Sequence, residues 1–305
     1  MSVKIPIYAS LSSIGAYVPS RIVSNEDLSK IVETSDEWIT KRTGIKERRF
    51  AEDNEATSDL ATKAARIAIE RAQIDISVID AVVVATISPD FFCMPSTACV
   101  VANNLGIINK PAFDIAAACS GFIYLLSLAK SFIESQTYKN ILIIGAEKIS
   151  SILDMEDRST CVLFGDGAGA AVIRATEDKS LSVLDVQCAA NGQYQELLMT
   201  PGCGSRYPAS AEILRERLQF IKMKGNETFK IAVKTLTKDV VEILQRNHLS
   251  KDEIDFFVPH QANLRIISAV GEALGFSSEK VALTVQKYGN TSAASIPMAI
   301  NDLYE

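Results

Sequence analysis

One order of elements occurs twice in these 305 residues: helix, apolar strand, loop, helix, strand, sharp corner, helix. A chain written that way is confined to folds made of two similar halves. In the first copy SDLATKAARIAIERAQI has the spacing of an amphipathic helix, IDAVVVAT reads as a buried strand, and MPSTACVVANNLGI as a second helix. KPAFDIAAA then reads as a strand ending at Cys119, before the helix SGFIYLLSLAKSFIES. In the second copy ETFKIAVKTLTKDVVEILQRNHL leads to the strand IDFFVP, a loop with His260, the helix QANLRIISAVGEALGF and the strand VALTVQKYGN. The helix TSAASIPMAINDLYE closes it. Matching ID to ID and LGI to LGF places Cys119 and Asn290 at equivalent strand-to-helix corners, and His260 at the end of the strand equivalent to AVVVAT. All three converge if the halves pack about a pseudo-twofold axis. The alternation of helices with short β-branched runs predicts a layered α/β fold. The boundary is expected after AAVIRA, giving residues 1–176 with the cysteine and 177–305 with the histidine and asparagine.

Composition removes several classes of function. A formal charge of -6 argues against nucleic acid as a partner, since neutralising phosphates needs a basic excess. Six cysteines, at 93, 99, 119, 161, 188 and 203, contain no CxxC pair, so neither a zinc or other metal site nor a disulfide is expected, and free thiols fit a reducing cytosol. The first residues lack a basic segment followed by a sustained apolar one, and no stretch reaches the roughly 18 apolar residues of a membrane span. A cytoplasmic protein without membrane association is the expectation.

Of the thiols, Cys119 stands where chemistry is favoured. The start of a helix leaves N–H groups unpaired and carries a partial positive charge, so a thiol there is expected to ionise more readily. Cys93, Cys99, Cys161 and Cys188 read as small buried hydrophobes. The chain has two histidines; His248 near the end of a polar helix reads as solvated, while His260 sits in the strand-end loop PHQAN. Asn290 after Gly289 reads from local chemistry as a turn residue, and equivalence with the Cys119 corner is what draws attention to it. The glycine string GDGAGA, residues 165–170, precedes a strand rather than a helix. It is therefore read as a tight loop near the active site and not as a dinucleotide site.

Six ordered motifs, TSDEWITKRTGIKERR, DIAAACSGFIYLLSLA, DRSTCVLFGDGAGAAV, MKGNETFK, VPHQANLRII and KYGNTSAASIP, closely resemble those of the β-ketoacyl-acyl-carrier-protein synthase III family of condensing enzymes. The resemblance implies a thiolase-like layered αβαβα fold of two duplicated halves, and a catalytic set falling on Cys119, His260 and Asn290. It implies ping-pong chemistry: acetyl transfer from acetyl coenzyme A to the cysteine, then decarboxylative condensation with malonyl acyl carrier protein to give acetoacetyl acyl carrier protein. No cofactor is implied. The family match further assigns Trp38, Arg42 and Arg158 to the adenine of coenzyme A, Asn226 and Phe229 to the pantetheine tunnel, and Arg265 to docking of the carrier protein. Met94 matches the base of the acyl pocket, contributed across a homodimer, and its flexible thioether favours short starters. Lys230, Lys234 and Lys238 recur every four residues, a spacing shared by an ordinary solvated helix face and by a surface for an acidic carrier.

Other readings stay open at this level: a thiolase-superfamily synthase of specialised metabolism, a non-decarboxylative thiolase, a cysteine hydrolase, or an inactive condensing-enzyme subunit. Synthases of this family run about twenty residues further, through two strands and a glycine-rich loop that supplies an oxyanion donor, so a longer native chain is expected.

Overall fold

A computed structural model describes residues 6–305. The first half comprises β1 (Tyr8–Tyr17), β2 (Arg21–Ser24), α1 (Asn25–Ser29), α2 (Asp36–Thr43), β3 (Glu47–Phe50), α3 (Thr57–Ala72), β4 (Ala81–Ala85), α4 (Thr97–Leu105), β5 (Ala112–Ile115), α5 (Gly121–Glu134), β6 (Asn140–Glu147) and β7 (Gly167–Thr176). After it come β8 (Leu198–Met199), α6 (Ala211–Arg215), β9 (Lys222–Met223), α7 (Gly225–Arg246), α8 (Leu264–Leu274), α9 (Val285–Tyr288) and α10 (Ser295–Tyr304).

The sheet at the centre runs β1-β7-β6-β4-β5, with β4 parallel to both β5 and β6, and β7 antiparallel to both β6 and β1. Every residue of β4 is buried, as the unbroken AVVVA run requires of a strand covered on both faces. Its two-residue period divides the core: Val82 and Val84 face the helices α3 and α4, while Ala81, Val83 and Ala85 face α5. Small residues set how closely these layers approach. The buried face of α3 is mostly alanine, its N-terminus is held where the Asp59 carboxylate accepts the Ala56 N–H, and it lies directly on β1. A β-carbon on Gly15 would stand 2.5 Å from Ala68 N.

The internal repeat extends to hydrogen-bond register. In the first half Val82, two residues after Ile79-Asp80, pairs with Ala112, five after Ile107; in the second Phe257, two after Ile254-Asp255, pairs in parallel with Val281, five after Phe276. Two expectations for the second half are corrected. Neither IDFFVP nor VALTVQKYGN becomes an extended strand among the described residues; the pair is a single bridge, fixed by Phe257 N to Lys280 O (2.7 Å) and Ala282 N to Phe257 O (2.9 Å). The Gln261 side chain accepts the N–H groups of Thr284 and Val285, and the chain turns into α9. GDGAGA is likewise a loop only at Gly165 and Asp166. Gly167 and Gly169 lie inside β7, where α10 crosses so closely that a β-carbon on Gly169 would be 2.6 Å from that of Pro297.

Candidate functional site

β5 ends at Ile115, and the chain swings through a single tight turn, Ala118–Ser120, into α5. Ala118 takes φ +45°, the left-handed region that a residue with a β-carbon rarely occupies, so the corner carrying Cys119 is strained. Gly121 lets this corner close: a β-carbon there would meet those of Ala85 and Ala293 at 2.7 and 3.0 Å. Cys119 is partly exposed. The helix start does not make its thiol acidic, contrary to the expectation from position alone. Burial pushes the thiol up to about 11; the Ser292 hydroxyl opposes the shift and the nearby Glu147 carboxyl adds to it.

The second corner is built from main-chain contacts between the halves. Gly289, at φ +67°, follows α9 and delivers Asn290 alongside Phe164, with Asn290 N donating to Leu163 O (2.8 Å) and Gly165 N to Asn290 O (3.1 Å). The side-chain oxygen Oδ1 of Asn290 accepts the Ser292 N–H at 2.9 Å. That bond fixes the amide orientation and leaves Nδ2 free to donate to another group.

His260 is neutral at physiological pH, because burial lowers it to about 4. Its Nδ1 lies 2.6 Å from Ser295 Oγ, which also accepts the Gln261 N–H at 3.3 Å. The direction of that contact follows the tautomer: with the Ser295 hydroxyl donating to Nδ1, the imidazole carries its hydrogen on Nε2. Gln261, 1% exposed, holds the loop: Nε2 donates to Pro259 O (2.8 Å) and Ala282 O (3.1 Å), and Oε1 accepts from Thr284 N (2.8 Å) and Val285 N (3.2 Å).

The turn Ser292–Ala294 and the start of α10 therefore connect all three predicted residues. Ser292 reaches Cys119 through its side chain and Asn290 through its N–H, and Ser295 reaches His260. Gly145 of β6 seats this turn, since a β-carbon there would be 2.2 Å from Ala293 O. Ser292, Ser295, Gln261 and Glu147 escaped the reading of the sequence. The serines lie inside the TSAAS segment, where nothing but tertiary contact separates a linking hydroxyl from a helix cap.

A second cluster lies where α2 meets the loop before β7. The guanidinium carbons of Arg42 and Arg158 stand 4.5 and 5.2 Å from the Trp38 ring centroid, and Arg158 Nη1 donates to Glu33 O (2.9 Å). Asn263, the N-cap of α8, donates from Nδ2 to Arg42 O (3.2 Å), tying this cluster to the loop that carries His260. Exposed Arg265 lies over the Phe229 ring at 5.3 Å. Asn226 is exposed in the first turn of α7, and Lys230 and Lys234 share an exposed face of that helix with Lys238, which pairs with Glu242. Met94 is 80% exposed in a loop with Phe91 and Phe92, not packed with the cysteine turn. Of the four thiols expected to be buried, Cys161 is, whereas Cys93, Cys99 and Cys188 are exposed because a loop, the outer side of α4 and an irregular segment carry them. Among the described residues, no helix is long and apolar enough to cross a membrane, and no group of three metal-ligating side chains comes together.

Residues 113–192 match the family profile of 3-oxoacyl-[acyl-carrier-protein] synthase III, and residues 244–305 match the profile of its C-terminal part. β-Ketoacyl-[acyl-carrier-protein] synthase III of Sulfurimonas denitrificans is 63% identical over 298 residues, covering 98% of this chain and 90% of the relative. The crystal structure of the Aquifex aeolicus 3-oxoacyl-[acyl-carrier-protein] synthase III superposes with a TM-score of 0.90 at 46% identity, covering 97% of this chain and 90% of that one. The priming β-ketosynthase of the R1128 polyketide pathway superposes at 0.87 with 32% identity, covering 99% and 89%. The chain belongs to the β-ketoacyl-acyl-carrier-protein synthase III family, the acyltransferases that carry out the initiating condensation of fatty acid synthesis.

Proposed function

We propose that Cys119 takes an acetyl group from acetyl coenzyme A, and that His260 and Asn290 then assist decarboxylative condensation with malonyl acyl carrier protein, giving acetoacetyl acyl carrier protein in a ping-pong cycle. One observation carries this reading: His260 Nδ1 and Asn290 Oδ1 are each engaged by a serine, which leaves Nδ2–H of Asn290 free and, with Ser295 donating to Nδ1, Nε2–H of His260 free as well. Loss of carbon dioxide from a malonyl thioester builds negative charge on its carbonyl oxygen, and two fixed neutral donors stabilise that charge without protonating the carbanion. The enolate carbon attacks the acetyl carbonyl on Cys119, and the cysteine sulfur leaves.

Trp38, Arg42 and Arg158 offer a flat cationic surface for adenine, and Asn226 and Phe229 line the approach of the pantetheine arm. Arg265, with Lys230 and Lys234 beyond it, presents positive charge to the carrier protein. Exposed Phe91, Phe92 and Met94 favour a homodimer in which Met94 meets the partner's acyl pocket. We divide the chain after Thr176, where β7 ends, and place the enzyme in the cytoplasm with acyl carrier protein and coenzyme A thioesters as partners and no cofactor.

Intact-mass measurement after incubation with acetyl coenzyme A tests the reading. A gain of about 42 Da on the Cys119 peptide, discharged by malonyl acyl carrier protein, is expected. A protein that hydrolyses the thioester without ever forming the condensation product overturns it.

A further inference from the structure

Glu147 ends β6 with no solvent exposure, and nothing in the cycle above uses it. One of its oxygens has an evident structural duty: Oε2 accepts from Thr86 Oγ1 (3.1 Å), Ile87 N (3.1 Å) and Ser88 Oγ (2.6 Å), closing the turn after β4. The other does not. Oε1 is buried without a hydrogen-bond partner, and so is the hydroxyl of Ser292. Native proteins rarely leave such groups unmatched, and here two of them share one place. The Ser292 hydroxyl stands beside both the Cys119 thiol and the Glu147 carboxyl, close enough to favour the ionised form of each, yet it completes a well-aligned bond to neither in the resting site.

We propose that Glu147 accepts the proton of Cys119 through the Ser292 hydroxyl when the cysteine is acylated. This rests on Cys119 being the nucleophile. The thiol gives its proton to Ser292 Oγ while the serine gives its own to Glu147 Oε1. The thiolate attacks the thioester carbonyl, a new C–S bond forms, the C–S bond to coenzyme A breaks, and the departing thiolate recovers the proton by the reverse path. Atoms and charge balance without a further reactant.

Electrostatics favours this route over release of the proton to water. A thiolate beside an ionised Glu147 would place two negative charges together in a buried site, whereas the relay moves one negative charge from carboxylate to sulfur. Burial raises Glu147 to about 7, so the carboxylate needed as acceptor is present at physiological pH. Lys148, next in the chain, turns away to donate to the carbonyls of Glu52, Asp53 and Glu55; Asp166 before β7 is held by Ser150 and Ala51 N, and Asp114 of β5 by Thr97 and Ala98 N. Cys119 is the titratable group that faces Glu147 among the described residues.

The test uses E147Q and S292A in the full chain, with melting curves to confirm folding. Acetylation and alkylation of Cys119 by iodoacetamide are timed from about pH 5.5 to about pH 9, and discharge of pre-acetylated protein by malonyl acyl carrier protein is timed separately. The relay predicts acetylation about 100-fold slower in both variants, loss of the rate limb near neutrality, discharge within about threefold of the parent, and a double variant no worse than either single one. Alkylation needs no thioester, so it reads the relay even if no acetyl adduct forms and the proposed function fails; near pH 7 it should slow in E147Q although the thiol has lost a neighbouring negative charge that pushes it up. Faster alkylation near pH 7 in E147Q would mean that Glu147 merely opposes thiolate formation, and equal loss of acetylation and discharge would mean a structural role. Either result overturns the relay.

Discussion

Replacing Ser295 with alanine takes from His260 the hydroxyl that lies 2.6 Å from Nδ1, and takes from Gln261 N the hydroxyl that accepts its hydrogen. The ring keeps its place, because Gln261 pins the loop through four other hydrogen bonds, but nothing then selects the tautomer with hydrogen on Nε2. A neutral hydrogen bond of this kind contributes about 1 kcal/mol, which corresponds to roughly a fivefold fall in the fraction of correctly protonated ring. Decarboxylation of malonyl acyl carrier protein by the acetylated S295A enzyme should therefore slow by about 5- to 10-fold, well short of the roughly 100- to 1,000-fold expected on removing a donor outright in H260A. Acetylation of Cys119, which does not draw on His260, should stay within about twofold, and S295T should retain parental decarboxylation. Single-turnover mass spectrometry separates the two half-reactions. Equal slowing of both, or an S295A enzyme as impaired as H260A, would refute the assignment of Ser295 as the group that positions the donor.

W38A should raise KM for acetyl coenzyme A by about 3- to 30-fold, the range of a lost aromatic stacking partner, and leave discharge by the carrier protein unchanged. R265E should do the reverse, raising KM for the carrier alone, as steady-state kinetics with each substrate varied will show. G169V drives a branched side chain into Pro297, already 2.6 Å from a single β-carbon, and should lower Tm by about 5 °C through overpacking. Glu147 is held above its ordinary value of 4.5, at about 7, so the folded state binds that proton more tightly than the unfolded one; this contribution to stability is present below about pH 4.5 and lost as pH rises through 7. Denaturation of E147Q should consequently match the parent near pH 4.5 and show greater stability near pH 8, by an amount of order a few kcal/mol; a constant difference across that range would contradict the titration.

What the sequence discloses and what it hides follow from the range of the interactions. β4 was legible because AVVVA needs two covered faces wherever it occurs, and the helices because their apolar periods are local. The duplicated corners were legible from the matched order of elements, and the structure adds a shared register at Val82 and Phe257. VALTVQKYGN misled because β-branched residues favour a strand locally, while a side chain twenty-three positions away, Gln261, claims the N–H of Thr284. The glycines of GDGAGA misled for a related reason: their role is to admit α10, a partner more than a hundred residues distant that no local pattern announces. Position at a helix start is a local signal for Cys119, whereas the burial and the neighbouring Glu147 that push its thiol up are set by residues distant in sequence.

The turn Ser292–Ala294 is wedged between Gly145 and Gly121, with main chain rather than flexible side chain on its β6 side. Such a seat has no slack. A longer or branched starter on Cys119 cannot make room by pushing this turn aside without also dislodging the groups that hold His260 and Asn290. Enlarging the range of acyl groups the enzyme accepts therefore has to be done by carving the walls that face away from β6, and engineering that begins at residues 292–295 will trade turnover for breadth from its first substitution.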